Sequence, residues 1–252
     1  MAYFYALNGA MLRKVLLIFT GVGSVLSACK KKNQAPDPND QSYYYPVNIG
    51  RMYEYQIDTA WWDHANDTSF MATFLEKETY DTDFPNQAGQ LETRIIVERG
   101  LGAFLSPFGI QSVQRYYNAS KKYWTVQRVR NTFRYIMLKY PIAEGDTFNR
   151  NALNPLGPDT WRVDYIGGSF SVGGKTYSPC LRLVKKDVED SLRIQRIVEV
   201  YAHNVGLVYA EITDILGRTD TANWPNIPVM NRIESGYSFV KTLVRHDENI
   251  YK

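Results

Sequence analysis

Apolar and polar residues alternate with a period of two along most of the chain after residue 50. Such alternation predicts β-strands that bury one face and expose the other. In the segment 91–99, for example, Leu91, Ile95 and Val97 fall on one side of an extended chain. About ten segments show this pattern or are bounded by turn residues: 51–60, 68–80, 91–99, 121–130, 133–140, 160–166, 175–185, 193–201, 206–214 and 237–245.

No segment combines a strong 3.6-residue period with helix caps, so little helix is expected. The predicted fold class is therefore all-β, an antiparallel and strongly curved sheet that forms a half-barrel or a sandwich. Gly167-Gly168 and Gly173-Gly174 are expected to be tight turns on either side of a short strand. Residues 217–231 are expected to form a polar loop.

One short pattern occurs twice. Residues 45–53 read YPVNIGRMY, and residues 140–148 read YPIAEGDTF. Proline suits the start or the edge of a strand because it has no N–H for the ladder, and glycine permits a turn or a bulge. The repeat is consistent with two similar halves of one sheet, although no other segments align clearly.

The N-terminus carries the parts of a bacterial export signal in their usual order. Arg13 and Lys14 precede an apolar run over 15–25, and Leu26-Ser27-Ala28-Cys29 follows it as a lipobox. The apolar run has about 11 residues, whereas a membrane-spanning helix needs ~20. We therefore expect residues 1–28 to be a signal peptide and Cys29 to be lipidated; the alternative is an uncleaved helix with a chance cysteine.

The segment before Met11 lacks a basic start, so Met11 is a candidate initiator and the start at Met1 a mis-assignment. After Cys29, residues 29–42 are polar and contain two prolines, which predicts a flexible tether. Residues 43–252 are then one β-rich domain. Lys30, not aspartate, follows the cysteine, which resembles Gram-negative lipoproteins of the outer membrane. The resemblance implies a lipid-anchored outer-membrane lipoprotein that faces the periplasm.

Composition narrows the class of protein. Hydrophobic residues make up 44% of the chain and aromatic residues 14%, enough for a packed core. The formal charge of +3 falls by two once Arg13 and Lys14 leave with the signal, so no nucleic-acid partner is predicted. With Cys29 lipidated, Cys180 stands alone on a predicted strand and is expected to be a buried apolar residue rather than a redox group.

Motifs for catalysis or metal binding are not found. His64, His203 and His246 lack ligand-type neighbours in a repeated spacing, so no metal site is predicted. The sequence has no Gly-x-Ser-x-Gly and no phosphate-binding glycine loop. Glu76 and Glu78 share one strand face, a spacing typical of solvated side chains. The prediction is therefore a non-enzyme without cofactor, although distant carboxylates could converge in the fold.

Large aromatic side chains are the remaining candidates for a binding site. They could form a stacking platform or line an apolar concavity; the competing interpretation is core filling and packing at strand edges. The adjacent pair Trp61-Trp62 must face opposite sides of a strand, so one of the two is expected to be exposed or to cover an edge. The predicted ligand-binding residues are Trp61, Trp62, Tyr123, Trp124 and Trp161.

Three segments resemble a group of exported bacterial lipoproteins of unknown function. They are YPVNIG at 45–50, YSPCLRL at 177–183 and YAHNVGLVY at 201–209. The last also resembles the Val-Gly-Leu-Val ending of periplasmic β-sheet proteins of the TapB type. The resemblance implies an antiparallel, strongly curved sheet and supplies no catalytic residues.

The function expected from the sequence is a non-catalytic module that binds a hydrophobic ligand or an envelope partner. Its membrane contact would be the lipid on Cys29. Two alternatives stay open: an envelope hydrolase whose carboxylates converge in a cleft, and a structural subunit that pairs an exposed strand edge with an envelope protein.

Overall fold

The computed structural model describes residues 41–101, 113–122, 124–220 and 222–247. Twelve strands lie within these ranges, and they account for most of them. They are β1 (Met52–Asp63), β2 (Thr68–Pro85), β3 (Leu91–Leu101), β4 (Val113–Lys122), β5 (Thr125–Arg130), β6 (Phe133–Lys139), β7 (Thr147–Asn149), β8 (Thr160–Val172), β9 (Lys175–Glu189), β10 (Arg193–Ala202), β11 (Gly206–Gly217) and β12 (Ile233–Asp247).

All twelve strands belong to one antiparallel sheet, which confirms the predicted all-β class. Their order is β6-β5-β4-β3-β2-β1-β12-β11-β10-β9-β8-β7. Each half of the chain is thus an up-and-down meander, and β1 and β12 join the halves in the middle. The helical content of the described residues is three short 3₁₀ turns, Gln41–Tyr44, Trp224–Asn226 and Val229–Asn231.

The sheet curves so strongly that its two ends face each other. Val126 of β5 and Leu138 of β6 share one buried apolar cluster with Leu181 and Leu183 of β9. β6 and β7 stay unpaired as strands, so the sheet is not closed. A backbone hydrogen bond still links the two ends, since Ile136 N–H donates to the carbonyl that follows β7, 2.9 Å away. The inner side of this curve is called the concave face below.

The glycines of the two YP…G segments have equivalent positions at the start of the two halves. Gly50 and Gly145 have φ angles of 84° and 87°, a region that glycine adopts without steric cost. Gly50 N–H donates to the carbonyl of Tyr80 on β2, and Gly145 N–H donates to that of Val163 on β8. Each glycine therefore places the following strand, β1 or β7, beside its partner.

The predicted strands and turns were wrong at several places. The predicted strand 121–130 is split, because β4 ends at Lys122, β5 begins at Thr125 and Trp124 takes a positive φ between them. Gly167-Gly168 is no turn: β8 continues through it with register shifts against β9, and the hairpin turns at Gly173-Gly174. β7 and the first eight residues of β4 were not predicted; β7 has three residues, too few to show alternation.

The predicted loop at 217–231 is present and covers the outer face of the sheet. Val229 of this loop packs on Ile194 and Ile215, with Trp62 beside them. The buried guanidinium of Arg232 ties the loop down by donating to the backbone carbonyls of Ile227, Arg218 and Ser191. One side chain thus satisfies three carbonyls that would otherwise lack partners.

All strand pairing and all three apolar clusters lie within a compact unit at 41–252. This segment has its own core, which is the property that lets a domain fold as a separate unit. The Gln41 amide fixes its start, donating to the Ile142 carbonyl and accepting from the Ile142 N–H, both at 2.7 Å. The described residues contain no helix long and apolar enough to span a bilayer. The predicted signal peptide, 1–28, and residues 29–40 of the predicted tether lie outside them. The prediction that the tether extends to residue 42 was wrong, because Gln41 and Ser42 belong to a 3₁₀ turn of the folded domain.

Replacing Arg232 by methionine should destabilise the fold by about 2–4 kcal/mol, because three buried carbonyls lose their donor. Arg245→Met is the matched control, since its guanidinium is 58% exposed and binds Glu54 at the surface; its loss should cost under ~1 kcal/mol. Urea unfolding of segment 41–252 measures both. Equal effects of the two variants would show that Arg232 does not anchor the loop.

Candidate functional site

A cavity of about 540 Å³ opens on the concave face. Its lining comes from β2, β3, β10, β11 and β12, from β5, β6, β8 and β9, and from residues next to β5, β7 and β8. Its lining combines charged and apolar side chains. The charged members are Glu76, Glu78, Arg99, Arg130, Arg150, Asp159, Lys185, Glu199, Glu211 and Lys241; the others are Asn131, Tyr135, Met137, Trp161, Ile197, Val198, Leu207, Ala210, Ile212 and Phe239.

The first group of charges, called the Lys241 cluster, crosses the cavity floor. Lys241 Nζ on β12 lies 2.6 Å from Glu76 Oε1 and 2.9 Å from Glu78 Oε1, both on β2. Arg99 on β3 binds Glu76 at 2.7 Å, and Arg128 on β5 binds Glu78 at 3.0 Å. Three cations from three strands thus share two buried carboxylates.

The second group, called the Arg150 cluster, lies at the β7 side. Arg150 donates from both terminal nitrogens to the two carboxylate oxygens of Glu199, at 2.8 and 2.7 Å. The Tyr201 hydroxyl donates to the same carboxylate at 2.5 Å. The Arg150 guanidinium lies 3.8 Å above the Trp161 ring. This bidentate, stacked geometry is specific to arginine and holds Glu199 fixed.

Cations keep these buried carboxylates ionised. Burial opposes ionisation of Glu76, yet Lys241 and Arg99 outweigh it and lower the pKa of the carboxyl. Burial also opposes ionisation of Glu78, where Arg128 and Lys241 lower the pKa well below its usual range. The pKa of Glu199 is likewise lowered, as Arg150 and the Tyr201 hydroxyl outweigh burial. None of the three is therefore a proton donor near neutral pH.

The predicted aromatic residues are dispersed rather than gathered. Trp161 is 5% exposed and lines the cavity. Trp61 is 45% exposed, on the concave face but beyond the cavity, while Trp62 packs under the 217–231 loop on the outer face. Trp124 is 74% exposed at the β4–β5 turn. Tyr123 lies outside the described residues.

The histidines and Cys180 stay apart from the cavity. In the described residues no three His, Cys, Asp or Glu side chains are grouped to hold a metal ion. His203 packs against the rings of Tyr43 and Tyr44, and His64 contacts Arg218 at 2.9 Å. Cys180 is fully buried, and burial raises the pKa of its thiol to about 11, so it is unreactive at neutral pH.

The ionic clusters were not predicted from the sequence. Glu76 and Glu78 were expected to be solvated, but they are 6% and 3% exposed. A signal was present, since Glu76 and Glu78 share the face of Phe74 and Tyr80 on β2, a face made apolar by its neighbours. Carboxylates at positions of a strand that otherwise carry apolar side chains indicate buried ion pairs. Lys241 and Arg150 gave no such local signal, because their partners are 163 and 49 residues away.

No protein family matches this chain, and no curated protein or solved structure shows significant similarity to it.

Glu199→Gln should destabilise the protein by about 3–5 kcal/mol at pH 7, because it leaves the buried Arg150 charge without its carboxylate. A lowered folded-state pKa stabilises the protein above the unperturbed value of 4.5, and this contribution disappears as pH falls through the folded value. The difference between variant and wild type should therefore shrink below about pH 4.5.

Urea unfolding of segment 41–252 at several pH values measures that difference. Asp214→Asn is the control, because Asp214 binds Arg193 at the surface and should contribute under ~1 kcal/mol. A Glu199→Gln penalty that is equally large at pH 3 and pH 7 would contradict the assignment.

Proposed function

We propose that this protein is an outer-membrane lipoprotein, anchored through Cys29 and facing the periplasm, whose β-domain binds a small ligand and catalyses no reaction. The lipobox carries the anchoring part of the proposal. The cavity on the concave face carries the binding part, because its volume of about 540 Å³ suits a small molecule.

The lining of the cavity supports a ligand with an apolar portion. Ile197, Ile212 and Phe239 form a continuous apolar wall on β10, β11 and β12, each directly opposite the next in the sheet. The charged clusters lie on one side of this wall. A few fixed polar groups beside an apolar wall are typical of a pocket that orients its ligand.

A hydrolase is the second candidate, because the cavity brings together several carboxylates, among them Glu76, Glu78 and Glu199. A glycoside hydrolase needs one carboxyl that keeps its proton until it protonates the leaving group. The cations bound to Glu76, Glu78 and Glu199 lower their pKa values instead. This arrangement favours binding over hydrolysis.

A subunit that assembles through a strand edge is less well supported. β7 has only three residues, too few to accept a long partner strand. The edge of β6 is partly occupied, since Ile136 N–H donates to Arg150 and the Arg134 carbonyl accepts from Asn154. Short or covered edges are typical of sheets that avoid pairing.

Cys29→Ser should remove the lipid and with it the membrane attachment. In the wild-type protein, expressed with its own signal in a Gram-negative host, intact mass should exceed that of the polypeptide from Cys29 onward by the mass of acyl groups. The protein should sediment with the outer membrane, because several acyl chains anchor stably. Unmodified Cys29 in a membrane-free wild-type protein would sink the anchoring proposal.

Native mass spectrometry of segment 41–252, exported to the periplasm without the anchor, tests the binding function. The expected result is excess mass that is lost on denaturation, and the mass identifies the ligand class. Trp161→Ala, which opens the cavity wall, should reduce the retained fraction, whereas Trp124→Ala at the exposed β4–β5 turn should not. If the mass equals that of the polypeptide alone under all conditions, the protein does not bind a ligand tightly.

A further inference from the structure

The concave face changes character along the strands, from the charges around Lys241, through rows that are mainly apolar, to exposed aromatic side chains. Residues directly opposite each other in an antiparallel sheet share a face, as do residues two apart on one strand. Register therefore defines three successive rows across β2, β1 and β12 on this face: Phe74–Ile57–Lys241, then Ala72–Thr59–Phe239, then Phe70–Trp61–Tyr237.

The outermost of these, called the aromatic row, is unusually exposed. Phe70 is 56% exposed, Trp61 45% and Tyr237 47%, although all three are neighbours in the sheet. Adjacent exposed aromatics on one face of a sheet are costly to hydrate and mark binding surfaces. The row continues the cavity wall, because Phe239 lies two residues from Tyr237 on the same strand.

The charged end of the same surface offers cations to an incoming group. The Arg99 and Lys185 side chains are 39% and 38% exposed, and both line the cavity. The carboxylates paired with them are less accessible. The side chain of Asp159, which binds Lys185 at 2.7 Å, is 21% exposed, and those of Glu76 and Glu78 are 7% and 3% exposed. A polar head that enters the cavity therefore meets positive charge first, which favours an anion.

We propose that the cavity and the aromatic row form one site for a single-chain amphiphile with an anionic head group. The carboxylate or phosphate head lies near Arg99 and Lys185, and the acyl chain lies along the apolar wall toward Phe70 and Trp61. Phe70 and Glu76 are six residues apart on β2, which gives about 20 Å of surface, enough for a long chain. This proposal rests on the binding function above and specifies its ligand.

Five probes test the ligand class by isothermal titration with segment 41–252. Oleate has a carboxylate head, oleoyl lysophosphatidate a phosphate head, and monoolein the same chain with an uncharged head; acetate and inorganic phosphate serve together as chain-free anions. At least one anionic amphiphile should bind tenfold or more tightly than monoolein and than either chain-free anion. The amphiphile that binds with the higher affinity shows whether the ligand class is a free fatty acid or a lysophospholipid.

Two variants with matched controls test the site. Phe70→Ser should weaken binding of the preferred amphiphile about tenfold, since a large apolar contact is lost. Its control is Met71→Ser, the next residue on β2, which is 68% exposed on the other face and should change affinity less than about twofold.

The second pair concerns the cations. Lys185→Met removes a charge that lines the cavity and should weaken both anionic probes about tenfold. Lys77→Met removes a similarly exposed lysine that is paired with Glu98. Lys77 lies on the opposite face of β2 and does not line the cavity, so this variant should have no effect. Thermal unfolding confirms that all four variants remain folded.

Several results would overturn the proposal. If monoolein binds as tightly as the anionic amphiphiles, the ligand does not need an anionic head. If acetate or phosphate binds tightly and Phe70→Ser does not change that affinity, the ligand does not need an acyl chain. If none of the probes binds and the protein forms concentration-dependent dimers that are lost in Phe70→Ser, the aromatic row contacts a second copy of the chain. If none of the probes binds and the protein binds vesicles through Phe70, the row contacts a bilayer. A retained ligand of another class would leave the binding function intact, whereas no retained ligand and no bound probe would overturn both.

Discussion

The burial of Glu76 and Glu78 depends on cations that come from distant parts of the chain. Each carboxylate is nearly inaccessible to water, and an unpaired charge at such a depth would destabilise the fold by several kcal/mol. Lys241 on β12 and Arg128 on β5 meet these carboxylates only when the sheet is fully paired and curved. The ionic cluster therefore favours one curvature of the sheet, since a flatter or shifted sheet would leave buried charges without partners.

The same curvature creates the cavity and the graded concave face. Paired charges occupy the floor, where the ends of the sheet come close together. The apolar wall on β10, β11 and β12 and the aromatic row on β2, β1 and β12 continue from it. On the outer face, the loop held by Arg232 covers the apolar residues around Ile215. The outer face is thus sealed locally, while the concave face keeps apolar surface open for a ligand.

Much of the fold was predictable because strand patterning is local. Alternation located most of the strands, and the two YP…G segments marked the start of each half of the sheet. The failures were also local in cause: Trp124 interrupts an alternating segment with a positive φ, and β7 is too short to show a period. The candidate site was largely missed, because of the predicted aromatic residues only Trp161 among the described ones lines the cavity.

The sequence by itself determined the all-β class, the approximate strands and the burial of Cys180, because these depend on neighbours a few residues apart. It also carries the lipobox, which is a linear signal that needs no folded structure to be recognised. Only the tertiary structure decided the order of the strands, the charged floor and the direction in which Trp61 and Trp62 point. Those features arise from pairings such as β1 with β12 and Glu78 with Lys241, which join the two ends of the chain and leave no periodic trace in either segment.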